Sequence, residues 1–151
     1  IKRVIKQIKK EPKDNFDLGF MVLKLEKSSF KQWKDYDGKD LVELQKSFQD
    51  WQSPLVDDWK EENLTIEIML QEGFPLDSST QILKDFKKNK VIEVSSEFCE
   101  HKLLVSLDKK IDEDTIKNLN LAGKNIFVCL DNALTDEQKI KLDDKGFLKT
   151  I

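Results

Sequence analysis

The sequence has one histidine, two cysteines and five scattered glycines, and these small numbers exclude several kinds of site. A zinc site needs three or four protein ligands, so Cys99 and His101 alone do not predict one. No Gly-x-Gly-x-x-Gly or Walker loop occurs, which excludes the common nucleotide-binding loops. No Gly-x-Ser-x-Gly elbow occurs either, so a serine hydrolase is not indicated.

Long apolar runs and a disulfide framework are also missing. No run approaches the roughly 20 residues of a membrane helix, and the first residues do not have the pattern of a secretory signal. Because one of the two cysteines, Cys129, falls in a predicted core strand, we expect free thiols in a reducing, cytoplasmic compartment and no membrane partner. The chain starts at Ile1 rather than at methionine, which we interpret as a fragment of a longer protein.

What the sequence does contain is an α/β pattern with a charged surface, since 38% of residues are hydrophobic and 36% charged. Leu103–Asp108 is a short apolar run ending in aspartate, and Ile126–Asp131 repeats it. Neither run alternates with polar residues, which is typical of parallel strands covered on both faces. Phe147–Ile151 supplies a third strand, so residues 103–151 predict a βαβαβ unit with parallel neighbours and right-handed crossovers.

Helix-start signals follow the first two of these strands. Asp112 precedes an acidic first turn, and Thr135 begins a Thr-x-x-Gln capping box. Gly123 and Gly146 are predicted to end the two helices, each just before the next strand.

The preceding residues predict two further helices, a strand and a hairpin. One helix covers residues 39–51 and the other 59–72, and residues 20–25 form the strand. In residues 80–94 we expect a hairpin whose turn has Asn89 at positive φ. The residues predicted to face inward are Leu41, Leu44, Phe48 and Trp51 in the first helix, Leu64, Ile68 and Met69 in the second, and Met21, Leu23 and Leu25 in the strand. Phe30 and Trp33 are interpreted as anchors of a loop. The predicted fold class is therefore α/β: a mixed sheet with a C-terminal parallel section, a preceding hairpin or meander, and helices packed on the sheet.

Positive charge is concentrated at the N-terminus. Net charge is −3, but residues 1–13 carry six basic side chains and one acid, which leaves −8 for the remainder. Residues 1–12 are interpreted as a basic linking helix with an apolar stripe, ended near Pro12, and residues 13–151 as a single domain. One face of that helix could contact a DNA backbone or a neighbouring domain, or simply be solvated. The residues of this face are Lys2, Arg3, Lys6, Lys9 and Lys10. The body of the domain does not offer the basic face that duplex binding needs.

Two aspartates are the most interesting carboxylates. Asp108 and Asp131 are predicted at the carboxyl ends of parallel strands, where α/β sheets place ligand sites. An aspartate there could bind magnesium or accept a phosphoryl group, yet no partner motif follows at a recognisable spacing. Four acids near the start of the 59–72 helix, Asp57, Asp58, Glu61 and Glu62, are explained by the helix dipole.

Several stretches, in one order, resemble the C-terminal domain of the modification (Mod) subunit of type III restriction–modification systems. These Mod subunits are DNA adenine methyltransferases. Asp17–Leu25 followed by Ser28–Trp33 is similar to the family's "DLGFRVFKLDSSNFKxW" and is the most specific piece. Ile1–Ile8 resembles the end of the family's basic helix, Glu61–Gly73 its "EEDLLYEILLKxG" helix, and Val128–Thr135 its "VCLDDNIT" pattern.

The resemblance covers nearly the whole chain, loosely over residues 39–58 and 95–101. It implies a parent that transfers a methyl group from S-adenosylmethionine to adenine, using an Asp/Asn-Pro-Pro-Tyr motif and a Phe-x-Gly-x-Gly motif that both lie upstream in the family. Neither motif is present here, so no catalytic, cofactor-binding or metal residue is carried over.

The fragment is therefore expected to be non-catalytic, with S-adenosylmethionine serving only the parent. The implied partners are the upstream methyltransferase domain, a second copy of the parent, a restriction (Res) subunit, and DNA through the parent. The expected role is assembly and support of the catalytic domain. Two alternatives remain: a DNA-backbone-contacting module using the basic N-terminal helix, and an independent α/β enzyme using Asp108 and Asp131.

Overall fold

In a computed structural model, residues 22–32, 38, 40–50 and 53–151 are described, and they form four α-helices and five strands. The elements in chain order are α1 Leu41–Asp50, α2 Glu61–Gln71, β1 Ser79–Ile82, β2 Ile92–Ser95, β3 Leu103–Ser106, α3 Glu113–Asn118, β4 Ile126–Cys129, a 3-10 turn Asp131–Ala133, α4 Asp136–Asp143 and β5 Phe147–Thr150. None of the helices in this described part is long and apolar enough to cross a bilayer. The predicted basic helix of residues 1–12 lies outside it.

The strands form one mixed sheet in the order β1-β2-β3-β4-β5. The pairs β1/β2 and β2/β3 are antiparallel, and β3/β4 and β4/β5 are parallel. The predicted α/β class, with a hairpin leading into a C-terminal parallel section, is therefore confirmed. Every strand pairs with the strand that follows it in sequence, so the sheet is a simple progression across the domain.

Both faces of the central strands are covered. β3 is buried at all four residues and β4 at three of four, as their continuous apolar runs predict. Both parallel crossovers run in the same direction across the sheet, so the right-handed rule puts α3 and α4 on one face. Lys145 Nζ, just after α4, donates to the carbonyls of Ile116 and Lys117 in α3 at 2.7 and 3.1 Å, which joins the two helices.

The residue that follows α2, Glu72, contacts the sheet face that carries Val128 and Lys149. Lys149 of β5 shares a sheet face with Val128, its register partner, and its Nζ is 2.7 Å from a carboxylate oxygen of Glu72, directly after α2. Leu64 and Ile68 are fully or nearly fully buried, as predicted for this helix. The other large, fully buried side chains of the core include Phe74, Val91, Leu103, Val105, Ile111, Leu121, Phe127 and Leu142.

The predicted helix starts are confirmed, but the glycines act differently from the prediction. Asp112 accepts a hydrogen bond from Asp114 N at 3.0 Å, and Thr135 forms the complete capping box. Gly123 has φ +80, yet it lies in a turn five residues after α3 ends rather than at its cap. Gly146 is not at positive φ; an added Cβ there would lie 2.6 Å from Leu121 Cβ, so close approach explains this glycine.

The predicted inward faces of the N-terminal elements are wrong at Leu41, Phe48, Leu23 and Leu25, which are exposed, whereas Leu44 is half-buried. Leu41 and Phe48 of α1 are 79% and 68% exposed. Residues 22–25 form no strand, since no other described strand pairs with them, and Leu25 is fully exposed. Met21, Trp33 and Trp51 lie outside the described residues.

Phe30 does act as an anchor. It forms an isolated antiparallel bridge with Leu55 and packs against the core. Glu67 of α2 accepts hydrogen bonds from the Ser28 hydroxyl and, at 2.8 Å, from Ser29 N. The first described segment is therefore fastened to α2 by polar contacts.

Candidate functional site

The carboxyl ends of β3 and β4 lie at the same edge of the sheet, which is where α/β sheets place ligand sites and where the sequence puts Asp108 and Asp131. Ser106 aligns with Cys129 in the parallel register, so Asp108 and Asp131 follow at equivalent positions. The hairpin turn between β1 and β2 lies at this edge too, because Ile92 at the start of β2 pairs antiparallel with Val105 near the end of β3. Side chains from three loops therefore meet at one end of the sheet.

The Asp108 side chain is hydrogen-bonded to the hairpin turn. Its Oδ2 accepts a hydrogen bond from Asn89 Nδ2 at 2.8 Å and another from Lys90 N at 3.0 Å. Both donors are uncharged groups of the protein itself, and the residue is half-buried. This carboxylate therefore fixes the loop rather than facing open solvent as a ligand.

Asn89 is the centre of this arrangement, and its prediction as a positive-φ turn residue is wrong. Among the described residues only glycines have positive φ. The Asn89 side chain is instead 7% exposed, and it uses all four of its hydrogen-bonding capacities. Nδ2 donates to Asp108 and to the Lys110 carbonyl at 2.8 Å, and Oδ1 accepts from Asp112 N and from the Thr115 hydroxyl, both at 2.8 Å. We call these contacts the Asn89 network; they join the hairpin turn to the loop between β3 and α3.

Asp131 has a different partner. Lys139 Nζ, on α4, lies 2.7 Å from Asp131 Oδ1. The Lys139 ammonium first, and the Thr150 hydroxyl second, hold the pKa of the Asp131 carboxyl below its usual value. Most of the Asp131 side chain remains exposed, so this ion pair is screened by water and contributes little to stability.

The nearby thiol is unreactive. Cys129 is fully buried, and burial, with a smaller effect of the Asp131 charge, raises the pKa of its thiol to about 12. A thiol with so high a pKa has almost no thiolate at neutral pH, and the thiolate is the nucleophilic form. Cys129 therefore belongs to the core, as its place in the predicted strand suggests.

The remaining sequence candidates do not converge on a reaction centre. His101 stacks edge-on against Phe74, with the ring centroids 5.2 Å apart, and its Nε2 is buried without a hydrogen-bond partner. Cys99 Sγ lies 4.0 Å from the Gly73 carbonyl oxygen. Within the part of the chain that the structure describes, no group of three His, Cys, Asp or Glu side chains is arranged to hold a metal ion.

Of the four acids near the start of α2, only Asp58 lines a cavity, of about 430 Å³. Asp58, Trp59, Lys60 and Asn63 line one part of it, and Glu26 to Ser29 line the rest. Lysines and carboxylates alternate around this cavity, so its charge favours neither an anion nor a cation. Glu61 pairs instead with Lys90 at 2.7 Å, which ties the start of α2 to the hairpin turn.

Sequence reasoning missed a group of lysines that the Asn89 network brings together. Lys87-Lys88 lies in the hairpin turn and Lys109-Lys110 in the β3–α3 loop, about 20 positions apart in the sequence but adjacent across the network. The signal that could have found them is the pair of Lys-Lys dipeptides in two loops predicted at one end of the sheet. The basic residues proposed from the sequence, Lys2, Arg3, Lys6, Lys9 and Lys10, all lie outside the described residues.

The chain matches no family model, no curated protein and no solved structure.

Proposed function

We propose that this chain is a non-catalytic C-terminal domain of a site-specific DNA adenine methyltransferase of a restriction–modification system, with a role in assembly and in support of the catalytic domain. The sequence resemblance to the type III modification subunit supports this proposal. So do the local contacts at the carboxyl end of the sheet, where Asp108 is bound within the Asn89 network and Asp131 is paired with Lys139. Under this proposal S-adenosylmethionine is bound by the parent and the protein is cytoplasmic.

One observation carries the assembly role. The helix α1 has Leu41 and Phe48 seven residues apart, hence on one helical face, and both are largely exposed. Asp40 accepts a hydrogen bond from Val42 N at 2.8 Å, so the helix has a defined start. Apolar side chains that a domain leaves uncovered on one helical face mark a contact with another protein surface.

The occupant we propose for this face is the upstream catalytic domain. Residues 22–32, 38 and 40–50 form the described part of the chain closest to its N-terminus, and the resemblance places the methyltransferase domain before Ile1. A domain joined there would reach α1 before any other described helix. A second copy of the parent and a restriction subunit are the further partners of the proposed assembly.

The first test is calorimetry of the chain with S-adenosylmethionine. We expect no heat of binding, because the proposal places the cofactor in the parent's upstream domain. Binding in the micromolar range would overturn the proposal.

The second test measures association between the upstream domain of the same gene product and this chain, supplied as separate polypeptides. The double substitution Leu41→Asp and Phe48→Asp should weaken association at least about tenfold, since each change buries an unpaired charge in an apolar contact. Phe98→Asp, at an 81% exposed residue in a loop far along the chain, is the matched control. Equal affinity for the α1 variant and the control would contradict the assembly role.

A second candidate function is contact with the DNA backbone through the basic N-terminal residues. The observation in its favour is the charge of residues 1–13, which is +5 in a chain of net charge −3. Replacing Lys2, Arg3, Lys6, Lys9 and Lys10 with alanine should then abolish salt-dependent retention of DNA. Failure of the unmodified chain to shift DNA at low salt would rule this function out.

A further inference from the structure

Exposed apolar side chains gather at one end of the sheet. The register places the start of β1, the end of β2 and the starts of β3, β4 and β5 together at this amino end. Among the described residues after position 50, six large hydrophobic side chains are exposed, and four of them lie at or beside this end. We call these four the amino-end patch: Leu70 in the last turn of α2, Leu76 before β1, Phe98 after β2 and Phe147 at the start of β5.

The loop before β1 and the loop after β2 contact each other. Cys99 Sγ lies 4.0 Å from the Gly73 carbonyl oxygen. The ring centroids of Phe74 and His101 are 5.2 Å apart. The two patch residues of these loops are each within two positions of one of these contacts. Two parts of the patch are therefore neighbours in space.

The strand β5 joins the patch from the side. Lys149 Nζ lies 2.7 Å from a carboxylate oxygen of Glu72, the residue that follows α2. Phe147 lies two residues before Lys149, hence on the same face of the sheet, and Leu70 lies two residues before Glu72. The starts of β3 and β5 are two strand spacings apart, so the patch is about 10 Å wide.

Acidic side chains border the patch. Four loops meet at this end: residues 72–78, 96–102, 119–125 and 144–146. They contain five acids and three lysines, a charge of −2. Adding the strand residues that pair with these loops, Glu93 and Lys149, leaves the sum unchanged. Within the described part of the chain, Asp77 and Glu97 belong to no ion pair, and each is adjacent in the sequence to a patch residue.

We propose that the amino-end patch is the docking site of the N-terminal segment of this same chain, residues 1–10. That segment carries five basic side chains and no acid, and its apolar residues recur at helical spacing: Ile1, Val4, Ile5 and Ile8. In a helix this apolar stripe is about 10 Å long, which equals the width of the patch. Lysines flank the stripe as Asp77 and Glu97 flank the patch, so the two surfaces are complementary in both hydrophobicity and charge.

The connection is long enough for this docking. Glu26 accepts a hydrogen bond from Asn63 Nδ2 at 3.3 Å, which fixes the N-terminal part of the chain to the first turn of α2. Gly73 is ten residues further on, about 15 Å along the helix axis. Residues 11–25 can span up to about 50 Å. The tether also gives the segment an effective concentration of about 1 mM at the patch, which a separate partner of the same chemistry lacks. This inference does not rest on the proposed function.

The test is hydrogen–deuterium exchange of the full chain, with the backbone amides of residues 1–10 read by mass spectrometry. Isolated helices shorter than about 12 residues are marginal in water, so protection of these amides requires a surface that covers the apolar stripe. The patch variant carries Leu76→Ser and Phe98→Ser. The control variant carries Ile82→Ser and Ile140→Ser, at residues that are 58% and 64% exposed outside the patch. Circular dichroism verifies that each variant is folded.

We expect the amides of residues 1–10 in the unmodified chain to exchange at least about tenfold more slowly than an unstructured peptide. The patch variant should come within about twofold of the unstructured rate, and the control variant should keep its protection. A third variant, Asp77→Lys with Glu97→Lys, should lose at least about threefold of the protection at low salt. That loss should shrink at high salt, because salt screens contacts between surface charges.

Three outcomes overturn the proposal. One is unstructured exchange of residues 1–10 in the unmodified chain. Another is equal loss of protection in the patch and control variants, which would show only a general effect of removing exposed apolar groups. The third is protection that rises with protein concentration, which would assign the patch to the N-terminal segment of a second copy.

Discussion

Replacing Asn89 should destabilise the whole domain, because its side chain makes four hydrogen bonds from the hairpin turn to the segment between β3 and α3, in addition to the single bond from Lys90 N to Asp108. Asn89→Ala removes four hydrogen bonds. Asp112 and Lys110 can exchange their lost bonds for water, since they are half-buried or exposed. The Thr115 hydroxyl cannot, because Thr115 is 2% exposed.

The expected loss follows from these environments. A buried group left without a partner costs about 1–3 kcal/mol, and a hydrogen bond exchanged for water costs about 0.5–1.5 kcal/mol. Shared relaxation makes the four contributions less than additive. We therefore expect a decrease of about 3 kcal/mol in the free energy of unfolding, which corresponds to about 6–12 °C in Tm for a domain of this size.

The assay is urea unfolding followed by tryptophan fluorescence and circular dichroism. The midpoint should fall while the m-value stays constant, because the extent of surface exposed on unfolding does not change. Asn132→Ala is the control, since Asn132 is exposed and makes no described hydrogen bond; it should change stability by less than about 0.5 kcal/mol.

Asn89→Asp tests the direction of the hydrogen bonds. The introduced carboxyl keeps the two acceptor contacts but replaces the donor with an oxygen that faces the Asp108 carboxylate and the Lys110 carbonyl. Like charge raises the pKa of the introduced carboxyl in the folded state. The free energy of unfolding of the Asn89→Asp variant should therefore be closest to that of the unmodified protein at acid pH. The deficit should grow as the pH rises through the raised pKa. A loss below about 1 kcal/mol for Asn89→Ala, or a pH-independent deficit for Asn89→Asp, would refute the reasoning.

Three other predictions concern separate contacts. Gly146→Ala should destabilise by about 1–3 kcal/mol in urea unfolding, since its Cβ would lie 2.6 Å from two atoms of Leu121, side chain and backbone. Native protein treated with a thiol reagent at pH 8 should react at Cys99 but not at Cys129, and denatured protein at both, because burial raises the pKa of the Cys129 thiol to about 12. The lowered pKa of Asp131 stabilises the fold above the ordinary carboxyl pKa and this effect is lost as pH falls through the folded pKa. Asp131→Asn should therefore flatten the acid limb of the stability profile.

Each of these has a comparison that can contradict it. Gly123→Ala introduces a Cβ into open space at φ +80 and should cost only the strain of that conformation, about 1 kcal/mol, so an equal or larger loss than at Gly146 would be contrary to the packing argument. A Cys129 thiol that reacts as fast as Cys99 in the native protein would show that the strand opens readily. In an NMR titration, Lys139→Met should return the pKa of Asp131 towards its usual value, and an unchanged titration would remove Lys139 as the cause.

The elements of the C-terminal half could be predicted because their signals are local. Apolar runs without polar alternation at Leu103 and Ile126 indicate buried parallel strands, and both are buried in the sheet. The capping residues Asp112 and Thr135 determine where helices begin through bonds to atoms two or three residues away. Such contacts need no knowledge of the rest of the fold, so the α/β class and the order of its elements follow from the sequence.

The candidate site depended on contacts between distant residues. An asparagine in a lysine-rich turn has the same local signal whether its backbone takes a positive φ or its side chain is buried, and only the position of the β3–α3 loop decided in favour of burial for Asn89. The apolar face of α1 likewise predicts a buried helix, but burial requires a covering surface, which periodicity cannot supply. By itself the sequence determined the strands and helix starts of residues 103–151 and the charge of each loop. Only the tertiary structure decided which loops meet, because register and crossover direction bring together residues that are far apart along the chain.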